Sequence, residues 1–478
     1  MASTPPVDID ILPLASGFAP PDRTAWLALV EKTLKGAPLE GLTRRTLDGL
    51  AIEPLYAPAR DAAPIVRTAA GWDIRTLVRN DDPAIANVEA LADLAQGAAS
   101  LLLRIDPTGQ DGVALGSADD LARTLDGVML DVAPVALDAG FLGPKCADWL
   151  GAAAKDAPAA PLSFHLDPLS ALALAGSSPG PIEAHLIAAA SVAARLAEPY
   201  PRASLFLASG RVAHEAGGGE AVELGLAAAS ALAYAKALVR AGLPIAEAFE
   251  HIVLGLAVDA DAFLGVAKLR AARRIWARLA AACDADAEAR IEARSSSRML
   301  TRAEPWTNMI RLTVAAFAGA VGGADAVVLG AFTDTLGPPT PFARRQSRNI
   351  QLVLQEEANL GRVVDPSAGS GYIEALTDEL ARAGWARFQA IEASGGVVAA
   401  LEGGLIAGWV AENRAELSQR IAQRELKVLG VTDFPSEALR AAETAPEATA
   451  SIGAPSPRLP GPDGHCPPLV PVRLEDLA

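Results

Sequence analysis

The sequence predicts an α/β protein: a closed (β/α)8 TIM barrel with an N-terminal arm and C-terminal helices. Three observations predict it. Short β-rich runs alternate with helical stretches from about residue 95 to residue 330, the pattern of successive βαβ units on a parallel sheet. The chain has 478 residues, and a closed barrel of roughly 250 residues is the natural single-domain solution at that length. An open doubly wound sheet stays as the alternative, but no Gly-x-Gly-x-x-Gly follows a strand to support it.

Residues 1–25 are Pro-rich and read as an extended arm, and residues 26–34 have helical spacing, so 1–50 form an N-terminal arm and helix. The barrel is expected over 51–405. Its strand candidates are Ser100-Leu-Leu-Leu-Arg-Ile105, Val128-Met-Leu-Asp-Val132, Leu162-Ser-Phe-His165, Ala203-Ser-Leu-Phe-Leu207 and Asp325-Ala-Val-Val-Leu329. Residues 374–387 and 410–428 read as long amphipathic helices, the second within a C-terminal helical segment at 406–436. Residues 437–478 are rich in Pro and Ala and read as a linker-like tail.

The net charge is −16. Nucleic acid and anionic membranes require basic patches, so neither is expected as a partner. Cys146, Cys283 and Cys466 form no Cys-x-x-Cys pair, which points to a reducing cytoplasm without a disulfide framework. The N-terminus lacks the basic and apolar regions of a secretory signal. The Ala-rich run at 224–238 is broken by polar residues and reads as a buried helix rather than a membrane span. The five histidines, at 165, 185, 214, 251 and 465, show no metal-ligand spacing, and no metal site is expected.

Several segments then recur in a recognisable order. They include Gly71-Trp-Asp-Ile-Arg75, Glu215-Ala-Gly217, Ala267-Lys-Leu-Arg-Ala-Ala-Arg-Arg-Ile-Trp276, Glu304-Pro-Trp-Thr-Asn308 and Leu336-Gly-Pro-Pro-Thr340. Arg348-Asn-Ile-Gln351, Gln355-Glu-Glu357 and Asp365-Pro-Ser-Ala-Gly-Ser-Gly-Tyr372 follow. Together they resemble the substrate-binding barrel of cobalamin-dependent acyl-CoA mutases, best known from methylmalonyl-CoA mutase. The resemblance covers roughly residues 50–434. It implies a barrel threaded by the CoA tail, in which adenosylcobalamin supplies a radical and the protein supplies orientation and shielding.

The family's substrate-handling positions hold other residues here. A substrate-contacting Tyr of the family matches Leu77, and the catalytic His matches Val212. His214 lies two residues further on; on a strand it would face the same side as Val212, which makes it a weak candidate for a shifted role. A family Arg matches His251, the second weak candidate, and a family His matches Val328. Residues 166–194, where a carboxylate-clamping Arg belongs, contain no Arg or Lys. These departures remove the carboxylate clamp and the carbonyl donor together, so no catalytic, cofactor-binding or metal residue is assigned to this chain.

The nearest match to the family's cobalt-ligating Asp-x-His-x-x-Gly is Asp463-Gly-His465, which lacks the Gly, so His465 reads as a linker residue. The retained segments read as framework. Arg348 and Asn349 are expected to start a helix carrying Gln355 to Glu357, and Asp365 with Gly369 and Gly371 to make a tight turn. Arg270, Arg273 and Arg274 are read as solvated, as paired with a partner's acids, or as meeting CoA phosphates. The resemblance extends to the small, non-catalytic subunit of heterodimeric mutases, through Gly71-Trp-Asp-Ile-Arg75 and the residues at 82–87. It implies a homologous catalytic large subunit as partner, with acyl-CoA and adenosylcobalamin held there. A catalytic subunit for another acyl-CoA, working with a separate cobalamin-binding subunit, and a non-enzymatic scaffold stay open.

Overall fold

A computed structural model describes residues 22–60, 62–65, 67, 71–106, 108–435, 440–447 and 456–478. Most of the expected N-terminal arm, residues 1–21, and parts of the tail, 436–439 and 448–455, lie outside the described residues. The chain forms two units. The smaller comprises residues 1–46 and 51–55, the larger residues 47–50 and 56–478. The smaller unit holds the helix Arg23–Leu34, started by an Asp22 side chain that accepts from the Ala25 N–H. It also holds an antiparallel pair, Arg44–Arg45 with Ala51–Ile52.

The larger unit contains a closed parallel barrel of eight strands, the fold class expected. Its strands are β1 (Asp73–Val78), β2 (Ser100–Arg104), β3 (Val135–Asp138), β4 (Ser163–Leu166), β5 (Ser204–Ser209), β6 (Ile252–Val258), β7 (Ile291–Ser295) and β8 (Ala326–Val328). Each pairs in parallel with the next in sequence, and β8 closes on β1 with Val328 opposite Arg75. Helices cover the outside: α1 (Pro83–Ala95), α2 (Ala118–Thr124), α3 (Gly143–Ala153), α4 (Ile182–Ala197), the short α5 (Arg211–Glu215), α6 (Glu220–Arg240), α7 (Ala262–Ala282), α8 (Asn308–Val321) and α9 (Pro341–Leu352). Two long helices follow, α10 (Gly371–Ala393) and α11 (Leu405–Ala422).

Alternation along each strand sends one set of side chains outward into the main core. Ile74, Leu101, Leu103, Val135, Leu137, Ile291 and Val327 are buried there against the helices. Burying each contributes roughly 1.5–3 kcal/mol. The Ala-rich run sits in α6, mostly buried, as expected from sequence. α6 and α10 approach closely because each offers a glycine to the other. A Cβ on Gly384 would lie 2.8 Å from the Leu224 Cβ, and one on Gly225 would lie 2.5 Å from the Arg387 Cβ. No larger residue fits either position without separating the helices.

Four expectations differ from the structure. Val128-Met-Leu-Asp-Val132 is a turn, and the strand is Val135–Asp138; Met129 and Val132 face solvent, so the run's hydrophobicity is not spent on a sheet. The helix bearing Arg348 starts at Pro341, because the Thr340 side chain caps it and Pro341 occupies its first turn; Val353–Glu357 continues it as one π-helical turn. The last amphipathic helix stops at Ala422, short of Val428, with Arg424 in the left-handed region just beyond it. The end of the tail is not a free linker: Gly464–His465 pairs with Ser177–Ser178, Leu469 is buried, and the Val472 N–H donates to Glu215 at 2.8 Å.

Candidate functional site

The second set of strand side chains faces the barrel axis. On β1 these are Asp73, Arg75 and Leu77; on β2, Ser100, Leu102 and Arg104; on β3, Ala136 and Asp138; on β7, Glu292 and Arg294; on β8, Ala326 and Val328. Leu77 and Val328, two positions expected from the sequence to match polar site residues, pack with Leu102 and Ala136 as a small apolar cluster separate from the main core.

The charged members join Arg79, Asp111 and Asp334 of the following loops in one continuous chain. Asp334 pairs with Arg79, which pairs with Asp111 at 3.1 Å. Asp111 meets Arg104 at 2.7 Å, and Arg104 meets Asp138 at 3.6 Å. Asp138 holds Arg294 at 2.7 Å, Arg294 holds Glu292 at 2.6 Å, and Glu292 holds Arg75 at 2.7 Å. Arg75 ends on Asp73 at 2.9 Å and also donates to the Ser100 hydroxyl at 2.8 Å. Signs alternate at every link. The chain begins beyond the C-terminal ends of β1 and β8 and ends at the first residue of β1, so it runs the depth of the barrel.

Burial alone would raise the Glu292 and Asp138 carboxyls. Arg294 beside both, with Arg75 helping at Glu292 and Arg104 at Asp138, holds them well below the usual carboxylate range. The same carboxylates overcome the burial of the Arg294 guanidinium and raise it. His165, on β4, completes this layer. Burial lowers its pKa to about 3 despite Glu292 3.9 Å away, so it is neutral. Its φ of 45° coincides with a break in register between β4 and β5.

Val212 and His214 do not lie on a strand: both sit on α5, which corrects the expectation that they share a strand face. Val212 belongs to the main core. His214 is fully buried, its Nε2 3.1 Å from the Ser296 hydroxyl and its Nδ1 3.3 Å from Glu223. Glu223 in turn holds Lys268 at 2.6 Å. Burial and then Arg298 and Lys268 lower the His214 pKa, and Glu223 offsets this only in part. Burial opposes ionisation of Glu223, but Lys268 and His214 outweigh it and bring its pKa to about 2. His251 lies just before β6, at the opposite end of the barrel from α5, with its Nδ1 2.6 Å from the Ala203 carbonyl oxygen. The two histidines singled out from sequence are therefore not brought together.

Four carboxylates, Asp48, Glu220, Glu223 and Asp259, meet Lys268, Arg298, Arg387 and His214 around the start of α6. Burial, with Asp48 adding to it, pushes Glu220 up to about 8 against the pull of Lys268. A folded-state pKa above the unfolded one means the native state keeps a proton that the unfolded chain has lost, so stability falls as pH rises towards 8 and levels above it. Between pH 7 and 8 the fall is expected to be about 1 kcal/mol. Urea midpoints at pH 7.0, 8.0 and 9.0 measure it. The Glu220→Gln variant should show no such decline, and an equal slope in both proteins would refute the assignment.

The arginines of the retained segments pair within this chain. Arg270 bridges Asp365 and Glu374, and Asp365 also accepts from the Ile65 N–H at 2.8 Å. Arg273 holds Asp325 at 2.8 Å, and Arg274 holds Asp378 at 2.6 Å and Glu374 at 3.0 Å. None is held out for a CoA phosphate. Arg348 holds Asp93 at 2.6 Å, and Gln351 accepts from the Trp72 indole at 3.1 Å. A cavity of about 30 Å³ near Leu77, Arg79, Gly330 and Arg344 has room for a water or two, not an acyl group.

The surroundings of His465 do not fit a cobalt ligand. His465 lies in the two-residue ladder against Ser177, and the next N–H, of Cys466, is tied to the Gly176 carbonyl. No doubly wound sheet surrounds it among the described residues. Nor do any His, Cys, Asp or Glu side chains among the described residues cluster as metal ligands.

The sequence reading singled out Leu77, Val212, His214, His251 and Val328 but missed the axial charges. Their signal is present: Asp73-Ile-Arg75 and Glu292-Ala-Arg294 place opposite charges two residues apart, hence on one face of an otherwise apolar strand.

Fold and axis together define a (β/α)8-barrel protein whose interior is occupied by its own ion pairs. The chain belongs to the methylmalonyl-CoA mutase family, whose model matches residues 68–451. It is 39% identical over 476 residues to a methylmalonyl-CoA mutase small subunit of Streptomyces virginiae, covering 93% of this chain and 75% of that one. It is 34% identical over 483 residues to the small subunit of Propionibacterium freudenreichii subsp. shermanii, covering 93% and 74%. A probable small subunit of Mycobacterium tuberculosis strain H37Rv is 38% identical over 423 residues, covering 83% and 66%.

Proposed function

We propose that this chain is the small, non-catalytic subunit of a cobalamin-dependent methylmalonyl-CoA mutase, which interconverts methylmalonyl-CoA and succinyl-CoA. Its role is to stabilise a homologous large subunit, in a heterodimer in the cytoplasm. Adenosylcobalamin and acyl-CoA are held by that partner. The observation that carries this reading is the ion-pair chain from Asp334 to Asp73. It lies along the path a threaded CoA ester would take. Entry of the ester would separate mutually paired charges, of which Arg75, Glu292 and Arg294 are buried, at several kcal/mol per stranded buried charge. The apolar cluster of Leu77 and Val328 offers the thioester and carboxylate no polar contact in exchange.

The alternative, a catalytic subunit with a separate cobalamin-binding protein, needs a reachable base. His214 has no exposed surface and faces Ser296 and Glu223.

The test is a mutase assay with adenosylcobalamin and methylmalonyl-CoA, on the chain alone and after co-expression with the large subunit from the same genome, with size-exclusion chromatography alongside. The expected result is no turnover alone, then co-elution and activity together. Turnover by this chain with only a free cobalamin-binding protein would overturn the proposal.

A further inference from the structure

Alternation on β1 turns Thr76 away from the barrel axis, into the layer where α1 and α9 cover the sheet. The two helices meet there in matched steps. Arg344 and Arg348, one turn apart on α9, reach Glu89 and Asp93, one turn apart on α1. The pairing uses only the outer nitrogens of each guanidinium. Arg348 gives Nη1 to Asp93 at 2.6 Å and Nη2 to the Gln96 side chain at 2.7 Å. Arg344 gives Nη1 to the Glu89 carboxylate and Nη2 to the Glu89 carbonyl, the second at 3.1 Å. The Nε–H of each arginine is left over. Both are buried, as is the Thr76 hydroxyl, and none of the three has a hydrogen-bond partner among the described residues.

Thr76, Arg344 and Arg348 line one cavity, of about 30 Å³. A buried donor without an acceptor is costly, and native proteins seldom keep one. Three around a single space point to a species held in it. The chemistry of the wall selects that species. An arginine Nε–H can only donate. Acceptors around the same space are engaged: the Gly330 carbonyl takes the Ser347 hydroxyl at 2.7 Å, and Gln351 takes the Trp72 indole at 3.1 Å. Asp334 takes Arg79 and the Ala331 N–H, the latter at 2.9 Å. A water would bring two hydrogens in need of acceptors; an anion brings none. Four arginines line the cavity, Arg75 and Arg79 being the others, against two acids, Asp93 and Asp334. The space takes a water or two, which admits a halide and excludes phosphate.

We infer that Thr76, Arg344 and Arg348 form a site for one halide ion, chloride in the cell, which ties β1 to α9. The site is independent of the small-subunit reading. Two measurements on the full chain test it. Crystals grown without halide and soaked in sodium bromide locate the ion by its anomalous scattering. Thermal unfolding in sodium chloride and in sodium gluconate, at equal ionic strength, reports binding in solution, because gluconate is too large for the cavity. Thr76→Val keeps the β-branched shape and loses the donor. Arg348→Lys keeps a cation for Asp93 and loses the Nε–H, and it serves if the first variant fails to fold. The expected result is a bromide peak within hydrogen-bond reach of Thr76 Oγ1 and both Nε atoms. Wild-type Tm should be about 1–2 °C higher in chloride than in gluconate, and the variants should lose that difference. No peak at the site overturns the proposal, as does an equal chloride–gluconate difference in wild type and a folded variant. A bromide peak with no such difference in wild type means an adventitious ion only and overturns it as well.

Discussion

Replacing Arg294 by methionine is expected to destabilise the protein by about 3–5 kcal/mol, the cost of leaving a buried charge without its partner. Arg294 joins the two halves of the axial chain by holding Asp138 at 2.7 Å and Glu292 at 2.6 Å. Glu292 is almost inaccessible to water and would keep only Arg75, while Asp138 would keep Arg104 at the longer distance of 3.6 Å. Methionine fills much of the same volume, so the loss reports charge rather than a cavity. The pH dependence gives a second readout. Both carboxylates are held below their ordinary range in the folded state, so their contribution is present above the unfolded carboxylate pKa, shrinks as pH falls below it, and is gone only once pH passes the lower folded-state values. The variant should therefore be much weaker than wild type at pH 7 and closer to it near pH 3. Urea unfolding at both pH values measures this. A cost under about 1 kcal/mol at pH 7 would mean the pairs are solvated, as surface pairs are.

The barrel was legible in the sequence because alternation of strands and helices is a property of local runs. Leu101, Leu103 and Val327 announce β-strands, and the burial that selects them is on the outer face of every strand. Val128-Met-Leu-Asp-Val132 misled because composition does not distinguish residues that build a sheet from residues left at the surface. The short helix α5 was missed for a related reason. Arg211–Glu215 is five residues long, too short for a periodicity to be read, and it moved Val212 and His214 off the strand assumed for them. The axial chain was written in Asp73, Arg75, Glu292 and Arg294, yet pairing across the barrel joins residues more than two hundred positions apart, as Arg75 with Glu292. No local pattern specifies which charges meet. The tail was harder still: its Pro and Ala content reads as a linker, but ladder bonds from Cys466 and Leu469 to the Gly176 and Ala173 carbonyls hold it in place.

Restoring the two residues that the family resemblance places at Leu77 and Val212 is expected to give no mutase turnover in this chain alone. Leu77→Tyr puts a phenol against Leu102, Ala136 and Val328, three apolar neighbours. Overpacking there costs about 1–3 kcal/mol, and the hydroxyl, if buried unpaired, roughly another 1–3 kcal/mol. Val212→His adds a polar ring to a helix packed in the main core. Neither change opens the axis, because Arg294, Glu292 and Arg75 remain locked to one another on the N-terminal side of Leu77. Substitution at two positions leaves the ion-pair chain intact, so the substrate has no room to place its thioester beside the new groups. The double variant and Val212→His alone are assayed with adenosylcobalamin, a free cobalamin-binding protein and methylmalonyl-CoA, with near-UV dichroism to verify folding. The single variant guards against the double one failing to fold. Succinyl-CoA formation above the wild-type background by either folded variant would show that a CoA ester reaches the axis, and that the paired charges yield to it. Absence of turnover in both, with native spectra, would place the loss of activity in the architecture of the axis rather than in two side chains.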